Sequence, residues 1–307
     1  MTTALRPARF GRVLTAMATP FDRDGALDVE GAVKLAAHLA ENGSDGLVLT
    51  GSTGESTALS DEERELVWRE VAAAVSVPVL AGSTSADTEN SVELTRAASR
   101  AGVSGILAVT PYYSRPGQSG LAAHFRAVAA ATELPVVLYD IAIRTGRRIA
   151  AETLLALAEV ENIVGLKDAS GDPAGTARLL AEAPDDFECY SGDDLLTLPL
   201  LSVGATGLIS VAAHWCGAEC REMVESFLRG EVEEALTLLR ALVPSFTYET
   251  GDETPNPMPT KAMLRVLGLP AGECRLPLGE APHWLEERAR DVLADLDTFR
   301  SSRGVRG

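Results

Sequence analysis

The chain has 307 residues, 46% of them apolar and 23% charged, with 44 acidic against 27 basic side chains and a formal charge of -17. Such a balance describes a folded, water-soluble protein, excludes disordered and low-complexity architectures, and opposes binding to phosphate backbones or anionic membranes, so neither nucleic acid nor membrane is expected as a partner. No apolar run reaches the ~18 residues of a spanning helix, the stretch Met1 to Gly11 lacks the apolar centre of a secretory signal, and Cys189, Cys216, Cys220 and Cys274 do not suggest a disulfide framework in a chain of this size. The expected location is the cytoplasm.

In chain order, short aliphatic runs begin near Val13, Gly46, Val77, Gly105, Pro135, Ile163, Phe187 and Thr206, with starts 19 to 33 residues apart. They are continuously apolar rather than alternating, as befits parallel strands covered on both faces. Helical patterns lie between them. Ser60 to Glu63 forms a capping box ahead of an apolar face of Leu66, Val67, Val71 and Ala74. A second helix from about Thr88 to Arg100 stops at Gly102. Eight β-then-α units match a (β/α)₈ barrel, the TIM-barrel class, whose typical length is about 250 residues. An open doubly wound sheet is the rival, but MATPFDRDG after the first strand lacks the GxGxxG phosphate loop. The reading divides the chain into a barrel over residues 1–230 and a C-terminal helical appendage over 231–307. In the appendage, helices are expected at Glu231 to Val243, Pro259 to Leu267 and Trp284 to Phe299, with a frayed end over residues 301–307.

Active sites of such barrels lie where the strands end, and these ends are polar: Thr19, Gly51-Ser52-Thr53-Gly54-Glu55, Gly82-Ser83-Thr84, Thr110-Pro111-Tyr112-Tyr113, Tyr139-Asp140, Lys167-Asp168, Ser191-Gly192-Asp193-Asp194 and Ser210. Lys167 closes the apolar run Ile163 to Leu166, a costly place for a charge. Desolvation lowers a lysine pKa and yields a neutral amine able to attack a carbonyl, which makes Lys167 a candidate Schiff-base residue. The competing reading pairs Lys167 with Asp168 or lets it snorkel to solvent. Tyr139, one strand earlier, would sit beside it and move protons. The Ser52-Thr53 turn can donate to a carboxylate, and Arg144 could clamp a second one through its planar fork. No metal is expected: His38, His124, His214 and His283 are scattered, and Cys216 with Cys220 lacks further ligands. Asp193-Asp194 reads as helix capping.

The segments GSTGESTALS, VTPYYSRPGQSGLAAHF, LYDIAIRTG, VGLKDASGD, SGDDLLTLP, GLISV and PNPMPTKAMLRVLGL, in this order, resemble the dihydrodipicolinate synthase and N-acetylneuraminate lyase family over about residues 12–290. The resemblance implies a metal-free class I aldolase-type barrel that forms a Schiff base with pyruvate and needs no cofactor. It also implies a homotetramer with a C-terminal helical domain. Lys167 would form the Schiff base, Tyr139 would act as general acid/base, and Ser52 and Tyr113 would complete its proton relay, Tyr113 from a neighbouring subunit. Thr53 would hold the pyruvate carboxylate, Arg144 the second substrate's carboxylate, and the backbone carbonyls of Gly192 and Ile209 would face the site. Arg144, the TPYY segment and SRPGQSG resemble the branch that condenses pyruvate with L-aspartate-4-semialdehyde. Ser52 stands for a commoner threonine, and Ala142-Ile143 for a proline and a small residue. This motivates an alternative: a paralogous aldolase for a 2-keto-3-deoxy sugar acid or sialic-acid-like substrate. A catalytically silent binding barrel is the third reading. At the site where some members bind lysine as an inhibitor, Ser56 and Tyr112 are kept while Asp61, Arg64, Ala86 and Asn90 differ, which argues against lysine inhibition.

Overall fold

The fold is a computed structural model describing residues 8–304. Its eight parallel strands close into a barrel in sequence order. They are β1 (Val13–Ala16), β2 (Gly46–Leu49), β3 (Val79–Gly82), β4 (Gly105–Val109), β5 (Val136–Asp140), β6 (Ile163–Asp168), β7 (Glu188–Ser191) and β8 (Gly207–Ser210). Each begins within two residues of the expected position. One layer of side chains points inward, including Leu14, Val48, Leu80, Leu107, Val137, Tyr139, Val164, Tyr190 and Ile209. The other layer, including Leu47, Leu49, Val79, Ile106, Val136 and Leu138, packs against the surrounding helices. Burial on both faces explains why the strands carry no alternation of polar and apolar residues.

The helix Asp61–Ala74 has its capping box, with Ser60 Oγ accepting from the Glu63 N–H and the Glu63 carboxylate accepting from the Ser60 N–H. Its buried face is Arg64, Val67, Trp68 and Val71, whereas the expected Leu66 is half-buried and Ala74 is exposed. The helix Thr88–Arg100 ends as expected, with Gly102 at φ +83°. After β8 come the helices Ala213–Leu228, Val232–Tyr248, Met258–Val266 and His283–Ser302. One hydrophobic cluster runs from Val13 and Leu208 through Met223, Leu242 and Met263 to Leu296, so these helices share apolar packing with the barrel wall.

Two helix ends differ from expectation. Val232–Tyr248 continues through Pro244, although proline lacks the N–H of the helical ladder. Tertiary contacts hold the last turn: Trp215 Nε1 donates to Ser245 Oγ at 3.0 Å, and the Tyr248 hydroxyl bonds the carbonyls of Pro259 and Leu285, each at 3.1 Å. The last helix runs to Ser302, so Ser301 and Ser302 are helical rather than frayed, and residues 305–307 lie outside the described residues, as do residues 1–7 of the stretch read for a leader.

Candidate active site

Lys167 reaches the barrel interior through an irregularity in β6. Val136 of β5 pairs with Ile163, but Val137 pairs with Gly165, so Val164 is an extra residue on β6. That one-residue shift brings Lys167 opposite Tyr139 on one side and Tyr190 on the other, both inward-facing. Gly165 permits the bulge, because a Cβ there would lie 2.3 Å from the Glu188 carbonyl oxygen. Asp168 turns away from the amine: it accepts from the Ser170 N–H at 2.8 Å and from the Thr176 hydroxyl. The reading that paired Lys167 with Asp168 is thereby set aside.

Lys167 is 5% exposed, and its amine sits 4.3 Å from the centroid of the Tyr139 ring. Burial lowers its pKa from 10.5 to about 8, with the Asp194 and Glu249 carboxyl groups opposing and the Arg144 guanidinium assisting. Burial also holds the Tyr139 phenol well above its ordinary value, so it is protonated at neutral pH. Asp193 caps the short turn after β7, accepting from the Leu195 N–H at 2.9 Å, whereas Asp194 does not cap. Asp194 accepts from the Ser210 hydroxyl and from the Val211 N–H at 3.1 Å, and it shares a hydrogen bond with Glu249. Burial raises the pKa of both carboxyl groups, Glu249 well above its ordinary range, while the Ser210 and Val211 donors pull the other way at Asp194.

Lys167 borders a cavity of about 510 Å³ with Ser52, Thr53, Tyr139, Arg144 and Gly192. A smaller cavity of about 270 Å³ adjoins it and shares Ser52, Tyr139, Arg144 and Asn256. The structure thus brings together Lys167, Tyr139, Ser52, Thr53, Arg144 and Gly192. Ile209 lies in the inward layer of β8 without bordering either cavity, and Tyr113 stands apart, 96% exposed, at φ +71°. The Ser52-Thr53 turn is held at both ends by residues in left-handed backbone, Thr50 (φ +51°) and Glu55 (φ +54°). Trp68 Nε1 donates to Thr50 Oγ1 at 2.7 Å, and the buried Lys261 amine pairs with Glu55 at 2.5 Å. Thr19 donates to the Gly54 carbonyl at 2.8 Å.

Sequence reading missed Asn256, Glu249 and Lys261, and it placed Glu55 among the polar strand ends without its buried partner Lys261. Asn256 and Lys261 sit in PNPMPTK, where a polar residue between two prolines was the available signal for Asn256 and a lysine within a largely apolar helix the signal for Lys261. Around the expected lysine-binding positions, Asn90 donates to Asp61 at 2.8 Å and Arg64 is buried against the Ser56 carbonyl. Among the described residues no group of three or more His, Cys, Asp or Glu is placed to hold a metal, and no helix is long and apolar enough to cross a membrane.

Residues 9–296 match the model of the dihydrodipicolinate synthetase family. A 4-hydroxy-tetrahydrodipicolinate synthase of Moorella thermoacetica is 49% identical over 94% of this chain and 98% of its own. One from Acidothermus cellulolyticus is 50% identical over 96% of this chain and 95% of its own. The crystal structure of the Cyanidioschyzon merolae enzyme with lysine bound is 43% identical and superposes with a TM-score of 0.91, covering 94% of this chain and 99% of that one. The chain belongs to the dihydrodipicolinate synthetase family.

Proposed function

We propose that this protein is a lyase that condenses pyruvate with L-aspartate-4-semialdehyde through a Schiff base on Lys167, giving 4-hydroxy-tetrahydrodipicolinate for lysine and diaminopimelate biosynthesis. The observation that carries the reading is a desolvated amine held against a protonated phenol at the end of β6. The neutral amine attacks the pyruvate C2 carbonyl. Tyr139 protonates the departing hydroxyl, water leaves, and loss of a proton from C3 gives the enamine. Its C3 then forms a carbon–carbon bond to the aldehyde carbon, whose oxygen takes a proton. The amino group of the second substrate displaces Lys167 by attack on the imine carbon, closing the ring and freeing the amine.

Thr53 and the turn around it would hold the pyruvate carboxylate, and Arg144, at the shared wall of both cavities, the second carboxylate. Ser52 would link Tyr139 to Tyr113, and the carbonyls of Gly192 and Ile209 would face the reacting atoms. No metal or organic cofactor is required in this scheme. An isolated chain leaves the Tyr113 ring in solvent, which supports assembly into a homo-oligomer, a tetramer in our reading, where a neighbouring chain receives that ring. Four buried, free cysteines suit a reducing cytoplasm. The relatives' names favour the synthase over the sugar-acid aldolase. Borohydride reduction in the presence of pyruvate should fix a mass increment on Lys167. An unmodified lysine, or full activity in Lys167→Ala, would refute the mechanism. A panel of aldehydes should show fastest turnover with aspartate semialdehyde.

A further inference from the structure

Asn256 lies between the helices Val232–Tyr248 and Met258–Val266, is 6% exposed, and borders both cavities. Its Nδ2 donates to Thr53 Oγ1 at 2.9 Å. Its Oδ1 accepts from the Thr260 hydroxyl at 3.0 Å, which fixes the end of the amide that faces Thr53. Its backbone carbonyl accepts from Arg144 Nη2 at 3.3 Å. One residue therefore touches both groups assigned above to substrate carboxylates.

A hydroxyl carries a single hydrogen and accepts through its lone pairs. Because Thr53 Oγ1 accepts from the amide, its own hydrogen is released for another acceptor. The Thr53 side chain is 4% exposed and borders the cavity that Lys167 enters. We infer that Asn256 is a positioning residue: its amide turns the Thr53 hydrogen toward the pyruvate carboxylate while its carbonyl holds Arg144 for the second carboxylate, a reading that rests on the roles of Thr53 and Arg144 proposed above. The sequence separation of Asn256 from Thr53 also means that the C-terminal segment is part of the substrate-binding apparatus rather than a distant support.

Steady-state kinetics of full-length N256D, N256A, T53V and the T53V/N256A double variant test this. The ionised carboxylate of N256D offers only acceptors and draws the Thr53 hydrogen away from the substrate. Once protonated, the same carboxyl regains the amide's pattern of one donor and one acceptor. N256D should raise the KM for pyruvate roughly tenfold or more above the carboxyl's titration, the scale of a hydrogen bond to a charged group, with kcat reduced less. That KM should return toward the wild-type value as pH falls, measured beside wild type so that the other charged groups around the cavity, Arg144, Lys167, Asp193, Glu249 and Asp252, are common to both curves. N256A should raise the KM for both substrates, and in the T53V background it should add nothing to the pyruvate KM. An unchanged pyruvate KM in T53V would overturn the Thr53 assignment and this inference with it. Impaired T53V together with a pH-independent, wild-type KM in N256D, or multiplying effects in the double variant, would overturn the role of Asn256 alone.

Discussion

Replacing Asp194 by Asn should move the pH profile of Schiff-base formation to lower pH. With the Lys167 pKa lowered from 10.5 to about 8, roughly one amine in ten is neutral at about pH 7. An unperturbed lysine would offer only about one in three thousand, so burial supplies on the order of 300-fold in reactive amine. The trapping rate should then rise about tenfold per pH unit and flatten near pH 8. Tyr139 stays protonated across this window and adds no second limb. Burial is the largest cause of the lowered value, and Asp194 is the largest opposing one. Removing the Asp194 charge therefore takes away stabilisation of the ammonium form, and the plateau begins earlier. The measurement is rapid mixing with pyruvate, borohydride quenching at graded times, and mass spectrometric counting of modified Lys167 from about pH 6 to 10. A wild-type rate still rising steeply near pH 10, or an Asp194→Asn limb displaced upward, would refute the assignment of desolvation as the activating force.

Lys167→Met should abolish activity yet raise thermal stability near neutral pH by up to roughly 3 kcal/mol, the equivalent of lowering a pKa from 10.5 to about 8. Between those two values the unfolded chain binds more protons at Lys167, so wild-type stability should change with pH more positively than the variant's through the window, both chains sharing the slopes from Lys261 and the buried cysteines; equal slopes in denaturant titrations would contradict this. Gly192→Ala would place a Cβ 3.0 Å from Lys167 Cε and 3.1 Å from its Cγ, and should cut trapped adduct at least about tenfold through displacement of the amine, without changing the circular dichroism; normal trapping would deny the close fit. Burial lowers the pKa of His124 and His214 to about 4 from 6.5, so the unfolded chain binds extra protons between those values and stability falls as pH drops through them. Asp140, raised from 3.8 to about 6, acts with the opposite sign. His214→Gln keeps an acceptor for the Ala18 N–H and should flatten the acid limb of urea midpoints, whereas an unaltered limb would exclude His214 as a source. Millimolar lysine should leave activity unchanged, because Arg64 places a buried cation beside Ser56 and Tyr112, among the positions expected to bind it; inhibition in the assay would show that another arrangement receives it.

The strand period, the continuously apolar runs and the polar strand ends were legible in the sequence. They set the barrel, put Lys167 and Tyr139 at neighbouring strand ends, and marked Ser52, Thr53, Arg144 and Gly192 as borders of one site. Local signals such as the Ser60 to Glu63 box and the stop at Gly102 were equally readable, because they depend on residues within one turn of each other. Tertiary structure decided the direction of the lysine. Without the extra Val164, Tyr139 would face Leu166, and Lys167 would pair with Asp140 on the outer face. In the observed register Gly165 lies against β7, where a Cβ would come within 2.3 Å of the Glu188 carbonyl oxygen. The chain could not announce Asn256 beside Thr53, 203 residues away, or Lys261 beside Glu55. Those partners meet because the C-terminal helices pack over the barrel mouth. Burial makes an unpartnered polar group costly, which favours the arrangement in which the Asn256 amide meets Thr53 and the Lys261 ammonium meets Glu55.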